Sequence, residues 1–255
     1  MPSIWTILRS LARFGGDDGG IMTQRIVVIT GSAGGIGTAI NQRFRQDQDI
    51  VVGLDLAEGF DLTQPQQCDQ AIQRVIAEHG RIDVLCNNAG ISSVGDVVDS
   101  TLDDWQRVFA VNVFGIANMS RAVLPHMRTQ GSGFIVNTCS IAATVGLVER
   151  AVYSASKGAV LSLTKAMAAD EIANNIRVNC VSPGTVASPW VERLVATTPD
   201  PSQTMESLRK RQPMGRLVEC EEVAEAVFYL ASSSTFTTGM ELLIDGGISG
   251  VRIVQ

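Results

Sequence analysis

A tyrosine and a lysine four residues apart are the side chains of this sequence best suited to chemistry. Tyr153 and Lys157 stand in the stretch YSASK inside a helical pattern, so both side chains lie on one helix face. A lysine ammonium beside a phenol favours the phenolate, which suits the tyrosine to acid–base work near neutral pH. Taken alone, such a pair is common by chance and is also compatible with an ordinary helix surface.

Two further polar residues could act together with this pair. Ser140 follows the apolar segment GFIVNT and could hydrogen-bond a substrate oxygen at the end of a strand. Asn112 lies in VNVFG within a long helical pattern, where a short amide side chain is a poor helix former. Asn112 could hold a water molecule or a backbone carbonyl in a proton path. Taken singly, each residue also fits a plain capping or surface role.

A glycine-rich turn, TGSAGGIG, follows the first apolar run of the chain. Its residues Gly31, Gly35, Ile36 and Gly37 lie between a predicted strand and a predicted helix, the context that a dinucleotide-binding turn requires. The free N–H groups and the partial positive charge of the helix N-terminus favour a pyrophosphate. A tight turn without a ligand remains the alternative.

Asp55 strengthens the dinucleotide interpretation and bears on the choice of cofactor. It ends the second predicted strand, eighteen residues after Gly37. A carboxylate there can accept hydrogen bonds from the ribose hydroxyls and would repel a 2′-phosphate. Position 34, where a basic residue could meet that phosphate, is a glycine. The sequence therefore predicts NAD as the cofactor rather than NADP.

Apolar runs alternate with helical patterns along the chain and predict the elements that carry these residues. The predicted strands are 25–30, 50–54, 82–86, 133–138, 176–181 and 241–244, with a short additional strand near Phe60–Leu62. The predicted helices are 35–46, 65–79, 101–128, 151–173, 202–211 and 219–231. Nearly continuous apolar strands indicate a parallel sheet that is buried on both faces. We therefore expect an α/β fold, with a single Rossmann-type doubly wound parallel sheet and helices on both faces.

Composition limits the possible partners of the protein. The 255 residues carry a formal net charge of −6, so the basic footprint typical of nucleic-acid binding is absent. The five cysteines are odd in number and scattered, which predicts reduced, mostly buried thiols in a cytoplasmic protein. The two histidines, His79 and His126, are far apart in the sequence, and we expect no metal site.

The first 21 residues differ in pattern from the rest. Residues 4–14 place several apolar side chains on one helical face, and the flexible stretch GGDDGG follows them. A short surface anchor is one interpretation. We favour the other, in which 1–21 is an upstream extension and 22–255 is one domain. No apolar run reaches the roughly 18 residues of a spanning helix, so stable membrane insertion is not expected.

The combination of these features resembles the short-chain dehydrogenase/reductase family over residues 25–248. The resemblance depends on TGSAGGIG (30–37), FDLT (60–63), NNAG (87–90), Asn112, Ser140, YSASK (153–157) and PGTV (183–186). It implies that Tyr153 is the catalytic acid/base, that Lys157 supports it and binds the nicotinamide ribose, and that Ser140 orients the substrate oxygen. It also implies that Asn112 supports a proton relay.

The same resemblance implies further cofactor contacts. Asp61 and Leu62 would contact the adenine, whereas the cofactor would be lined elsewhere by Asn88, Ala89, Gly90 and Val186. Ser188 stands where many members have a threonine near the nicotinamide amide and the phosphates, and it keeps the hydroxyl. The short 55–65 segment departs from the family pattern, so the resemblance does not define which residues form the adenine pocket. The family's usual homotetramer would pack the helices 101–128 and 151–173 on their symmetry mates.

Three arginines suggest what kind of small molecule the protein acts on. Arg150 precedes Tyr153 by one helical turn, and Arg193 and Arg211 lie in a segment, about 185–215, that usually forms a substrate flap in this family. Guanidinium groups bind carboxylates in a two-pronged way, although these arginines could also be solvated or paired with Glu192 and Glu206.

Smaller motifs narrow the substrate class further. The pieces R-x-x-Y, PGTV-x-[ST]-P, ER and KRQ look like those of cytosolic 3-hydroxybutyrate dehydrogenases. The pieces SPW and RQPMGRL and the ending DGGISGVR look even more like those of 2-keto-3-deoxy-L-fuconate dehydrogenases. We therefore predict an NAD-dependent oxidoreductase for the secondary alcohol of a small hydroxy acid or sugar acid. The alternatives are a 3-oxoacyl thioester reductase, which usually prefers NADPH, and a non-catalytic dinucleotide sensor.

Overall fold

The structure is a computed structural model that describes residues 24–232 and 236–252. The predicted extension 1–21, its amphipathic stretch 4–14 and the domain start at Met22 lie outside the described residues.

Six parallel strands form the central sheet, in the order β2-β1-β3-β4-β5-β8, and β6 and β7 form a small parallel pair beside it. The strands are β1 (Ile26–Thr30), β2 (Ile50–Leu54), β3 (Val84–Asn87), β4 (Gly133–Thr138), β5 (Ile176–Pro183), β6 (Val186–Ala187), β7 (Val218–Glu219) and β8 (Glu241–Ile244). The chain order reverses between β1 and β3, which makes the sheet doubly wound and creates a ligand crevice at that point. The predicted Rossmann-type sheet is confirmed.

Helices cover both faces of the sheet. They are α1 (Gly35–Gln46), α2 (Pro65–His79), α3 (Leu102–Phe109), α4 (Gly115–Gln130), α5 (Ala151–Glu171), α6 (Pro189–Ala196), α7 (Pro201–Lys210) and α8 (Cys220–Leu230). Ile72 of α2 and Met119 of α4 belong to the core on one face, and Phe44 of α1 and Val227 of α8 to the core on the other. The five cysteines are buried and unpaired, as the sequence predicted.

The long helical pattern predicted over 101–128 is one continuous helical segment with a wide turn inside it. A π-helical turn, Ala110–Phe114, separates α3 from α4. Within the described part of the chain, only Leu102–Gln130 has the length and apolar composition of a membrane span. A buried core helix meets the same criterion, and Met119 and Met127 of this segment are fully buried in the domain core.

The strand predicted near Phe60–Leu62 is wrong. A single 3-10 turn, Leu56–Glu58, follows β2, and residues 60–64 form a further turn before α2 begins. The Asp61 carboxylate accepts the Thr63 N–H at 2.9 Å, and the Asp61 N–H donates to the Gln67 side chain at 2.9 Å. Because these local bonds satisfy the backbone, the segment needs no neighbouring strand.

Candidate active site

A cleft of about 620 Å³ lies at the carboxyl ends of the parallel strands. Its walls come from the segments that follow β1, β2, β3, β4 and β5, together with the flap helices α6 and α7. With two exceptions, Asn112 and Arg193, every site residue predicted from the sequence lines this one cleft. The topology thus brings together residues that are far apart in the chain.

The glycine-rich turn forms one end of the cleft and has no room for larger residues. Gly31 has a φ of +66°, and a Cβ there would lie 2.8 Å from the Ala89 Cα. A Cβ at Gly37 would overlap the Gly31 carbonyl oxygen. Gly34 precedes α1 and no side chain caps that helix, so the helix N-terminus is open towards the cleft for an anion.

Two aspartates line the cleft near this turn. The Asp55 carboxylate accepts the Ala33 N–H and the Ala57 N–H, each at 2.9 Å. These two bonds fix the carboxylate between the glycine turn and the short 3-10 turn that follows β2. Asp61 lies in the next turn, where the hydrogen bond from the Thr63 hydroxyl keeps the pKa of the Asp61 carboxyl below its usual value.

The NNAG segment is fastened to the glycine turn by hydrogen bonds. The Thr30 hydroxyl oxygen accepts the backbone N–H groups of Asn88 at 3.1 Å and Ala89 at 3.2 Å. The Asn88 side-chain amide donates to the Gly31 carbonyl at 3.1 Å. Gly90 then passes close to the lysine of YSASK, since a Cβ at Gly90 would lie 3.5 Å from the Lys157 Nζ.

Tyr153 and Lys157 lie in the first two turns of α5, on the face towards the cleft. Lys157 is 3% exposed, and its Nζ donates to the Thr138 carbonyl at 2.8 Å. The same Nζ lies 5.7 Å from the centroid of the Tyr153 ring, over its face. The ammonium is therefore held in place by the end of β4, next to the phenol.

Asn112 lies in the π-helical turn and is fully buried behind the cleft wall. Its amide Nδ2 donates to the Ile91 carbonyl at 2.9 Å and to the Ser156 hydroxyl at 3.0 Å. Its Oδ1 accepts the Ile91 N–H at 2.8 Å. The wide turn thus aims a short amide at the backbone that follows Gly90, where it binds the Ile91 carbonyl, one of the two kinds of partner that the sequence left open.

Ser140 and Ser188 both cap short helical segments at the edge of the cleft. The Ser140 hydroxyl accepts the Ala142 N–H at 3.2 Å, and this fixes the serine at the end of β4. The Ser188 hydroxyl accepts the Val191 N–H at 3.3 Å at the start of α6. Val186, in β6, lines the cleft together with Ser188.

Of the three arginines, Arg150 and Arg211 line the cleft and Arg193 does not. Burial lowers the pKa of the Arg150 guanidinium, and the nearby Arg211 charge lowers it further. In the part of the chain that the structure describes, neither arginine forms an ion pair with a carboxylate, and Glu206 instead contacts other flap cations. Two like charges thus converge in the cleft, where the neighbouring Glu149 charge acts on Arg150 but forms no ion pair with it.

Comparison with known proteins places this geometry in a family. The family described as enoyl-(acyl carrier protein) reductase matches residues 52–249. The chain is 38% identical over 247 residues to dehydrogenase/reductase SDR family member 6 of Xenopus laevis, with 90% of this chain and 99% of that protein covered. The chain belongs to the short-chain dehydrogenase/reductase family. The resemblance inferred from the sequence motifs is therefore confirmed at the level of the family.

Other members are similar over nearly the same length. The chain is 35% identical over 245 residues to the 3-oxoacyl-(acyl-carrier-protein) reductase FabG of Thermotoga maritima, covering 88% of this chain and 97% of that protein. The ligand-free aldohexose dehydrogenase of Thermoplasma acidophilum superposes with a TM-score of 0.85 at 32% identity, covering 91% of this chain and 96% of that chain. This short-chain dehydrogenase/reductase is thus an oxidoreductase whose relatives bear names that point to different substrates.

Sequence reasoning about this short-chain dehydrogenase/reductase missed two kinds of contact. The carbonyls of Thr138 and Ile91, which hold Lys157 and Asn112, are backbone atoms and leave no mark in the sequence. Trp190 also lines the cleft, from the first turn of α6. The Ser188–Pro189 pair is a helix-start signal that the predicted helices did not use, and it would have placed Trp190 in a first helical turn.

Proposed function

We propose that this protein transfers a hydride between NAD and the secondary alcohol of a small hydroxy acid or sugar acid. The observation that carries the proposal is the convergence of Tyr153, Lys157 and Ser140 in the same cleft as the glycine turn and Asp55. A turn that can hold a pyrophosphate and an acid–base pair that can move a proton are the two requirements of an alcohol dehydrogenase.

The residues of the cleft fit a nicotinamide dinucleotide. The open N-terminus of α1 suits the pyrophosphate, and the close approach of Gly31 to Ala89 keeps the turn free of side chains. The Asp55 carboxylate suits the ribose hydroxyls and would repel a 2′-phosphate, which favours NAD. A bound nicotinamide would supply the hydride acceptor for alcohol oxidation.

The residues of this chain would then handle the proton. Tyr153 takes the proton of the substrate hydroxyl while Ser140 hydrogen-bonds the same oxygen. Lys157, held by the Thr138 carbonyl, stabilises the phenolate that Tyr153 needs for this step. The space beside Gly90 lies between the Lys157 Nζ and the Asn112 Oδ1, and we propose that the proton leaves through it.

The two unpaired arginines support an acidic substrate. Arg150 precedes Tyr153 by one turn, so a carboxylate bound by Arg150 and Arg211 would hold a neighbouring hydroxyl carbon near the phenol. A carboxylate would also relieve the repulsion between the two guanidinium groups. Arg193 would join this site only if the flap helix α6 moved when it closes over the substrate.

A 3-oxoacyl thioester reductase is the second candidate, and the similarity to the Thermotoga maritima reductase favours it. Two arguments oppose it. Asp55 disfavours the phosphorylated cofactor that such reductases usually take. A thioester also has no carboxylate at the reacting end to balance Arg150 and Arg211.

A substrate screen tests the proposal. The purified protein is incubated with 3-hydroxybutyrate, a panel of sugar acids and neutral sugars, each with NAD and with NADP, and NAD(P)H absorbance is followed. In the reverse direction, a 3-oxoacyl thioester is tested with NADH and NADPH. Oxidation of an acid with NAD is the expected result. Reduction of the thioester with NADPH alone would contradict the proposal and support the second candidate.

A further inference from the structure

A second cavity, of about 320 Å³, adjoins the active-site cleft. Ser92, Trp190 and Leu194 line both spaces, so the second cavity continues the cleft beyond these three side chains. Trp190 is 48% exposed and sits on the boundary between the two. The proposed chemistry at Tyr153 makes no use of this additional space.

Residues from two helices, α3 and α6, line the second cavity. Trp190 and Leu194 are four residues apart on α6, and Asp104 and Arg107 are three residues apart on α3. Each pair therefore presents one helix face to the cavity. The loop that follows NNAG contributes Ser93, which lines the second cavity and not the active-site cleft.

The polar groups of this cavity suit hydroxyls better than charges. Arg107 donates to the Asp104 carboxylate at 3.1 Å, so the charged groups that line it are already balanced. Ser92 adds a hydroxyl that, among residues 24–232 and 236–252, binds only the neighbouring Ser93 carbonyl, at 3.3 Å. The exposed indole of Trp190 offers an apolar face beside them. Hydroxyl donors and acceptors next to an aromatic ring match a carbon chain that carries several hydroxyl groups.

We propose that the second cavity is a distal subsite for the hydroxylated tail of an extended substrate, such as the polyol chain of an aldonic acid. This inference rests on the proposed function and deepens it, because it selects sugar acids over short hydroxy acids. With the carboxylate at Arg150 and Arg211 and the reacting carbon at Tyr153, a molecule as short as 3-hydroxybutyrate would leave the distal subsite empty.

The proposal is tested by filling the distal subsite and by removing a polar group from it. Ser93→Leu narrows the cavity, and Arg107→Met removes its cationic donor but keeps the aliphatic stem. For the best aldonic acid of a panel, kcat/KM is expected to fall at least about tenfold, which corresponds to one or two lost hydrogen bonds. For 3-hydroxybutyrate it is expected to change less than about twofold. Arg74→Met, on the exposed face of α2, is the matched control.

The outcomes separate this proposal from the proposed function. Equal losses on the long and the short acid would overturn the distal subsite, and so would a wild-type protein that oxidises 3-hydroxybutyrate but no aldonic acid. If neutral polyols were oxidised and no acid was, the carboxylate site would be wrong, and the distal subsite would stand only if Ser93→Leu lowered kcat/KM more on long alcohols than on short ones. If no alcohol were oxidised, both proposals would fail. Titration with NADH and the melting temperature check that each variant folds.

Discussion

Replacing Arg150 by alanine tests the substrate class most directly. A hydrogen bond to a charged group contributes about 1.5–3 kcal/mol, which corresponds to roughly 10- to 150-fold in kcat/KM. The structure favours the lower part of this range. Arg211 stays in the cleft after the substitution, and the repulsion that it exerts on Arg150 is relieved. Replacing both arginines should therefore cost more than either single change, and Arg150→Lys should recover little because an ammonium lacks the planar fork.

The assay compares each variant on a hydroxy acid and on the methyl ester of the same acid. Loss on the acid with little loss on the ester is expected, since the ester never used the charge. Arg209→Ala is the matched control, because Arg209 lies on the flap helix α7, contacts Glu206 and does not line the cleft. If Arg150→Ala lost the same factor on both compounds, the arginine would serve the structure of the flap, and the substrate need not be an acid.

Four further predictions follow from the same geometry. Tyr153→Phe should lower kcat by about 10³ while titration with NADH shows nearly unchanged binding, and near-normal turnover would refute its assigned role. The wild type should prefer NAD to NADP by roughly 10²-fold in kcat/KM. Asp55→Ala should reduce that preference, mainly by raising kcat/KM with NADP. Equal kcat/KM with both cofactors in the wild type would contradict this prediction. A chain that begins at Met22 should match the full chain in melting temperature and activity, whereas membrane association of the full chain alone would favour an anchor. The hydrogen bond from Arg216 lowers the pKa of the Glu222 carboxyl to about 2 from its usual 4.5, so the stability that this pair provides is complete above pH 4.5 and is lost as the pH falls towards 2. Urea midpoints of Glu222→Gln and wild type should therefore converge over that interval, and a constant difference would show that the pair does not titrate there.

The sheet and most of the cleft were predictable from the sequence, because both follow from local patterns. Strands that are buried on both faces show continuous apolar runs, and the rule that ligands bind at the carboxyl ends of such strands then locates the glycine turn, Asp55 and Ser140 at one edge. Tyr153 and Lys157 needed only helical spacing. These are the features for which a short stretch of sequence determines the geometry.

The prediction that Arg193 lies at the substrate site depended on where the helix α6 begins. Val191 and Val195 are buried on one face of α6, and Trp190 and Leu194 line the cleft from the adjoining face. At about 100° per residue, Arg193 lies opposite the buried valines and is exposed. The spacing would have separated Arg193 from the cleft once the helix was known to begin at Pro189, but the flap segment alone did not fix that start.

The part of the fold that the sequence did not predict connects the turn after β2 with the start of α4. The short turn after β2, where a strand was expected, brings Leu62 against the first residue of α4, since a Cβ at Gly115 would overlap the Leu62 side chain. The Asn118 side chain then holds the Leu62 carbonyl at 3.1 Å. Gly115 follows the π-helical turn directly, so the segment proposed to contact the adenine packs on the turn that aims Asn112. A longer segment after β2 would have to pack differently at Gly115. The short length of this segment and the absence of a side chain at position 115 therefore both contribute to the same contact. This contact joins residues that are more than fifty positions apart in the chain. A pattern within a short stretch of sequence therefore could not predict it.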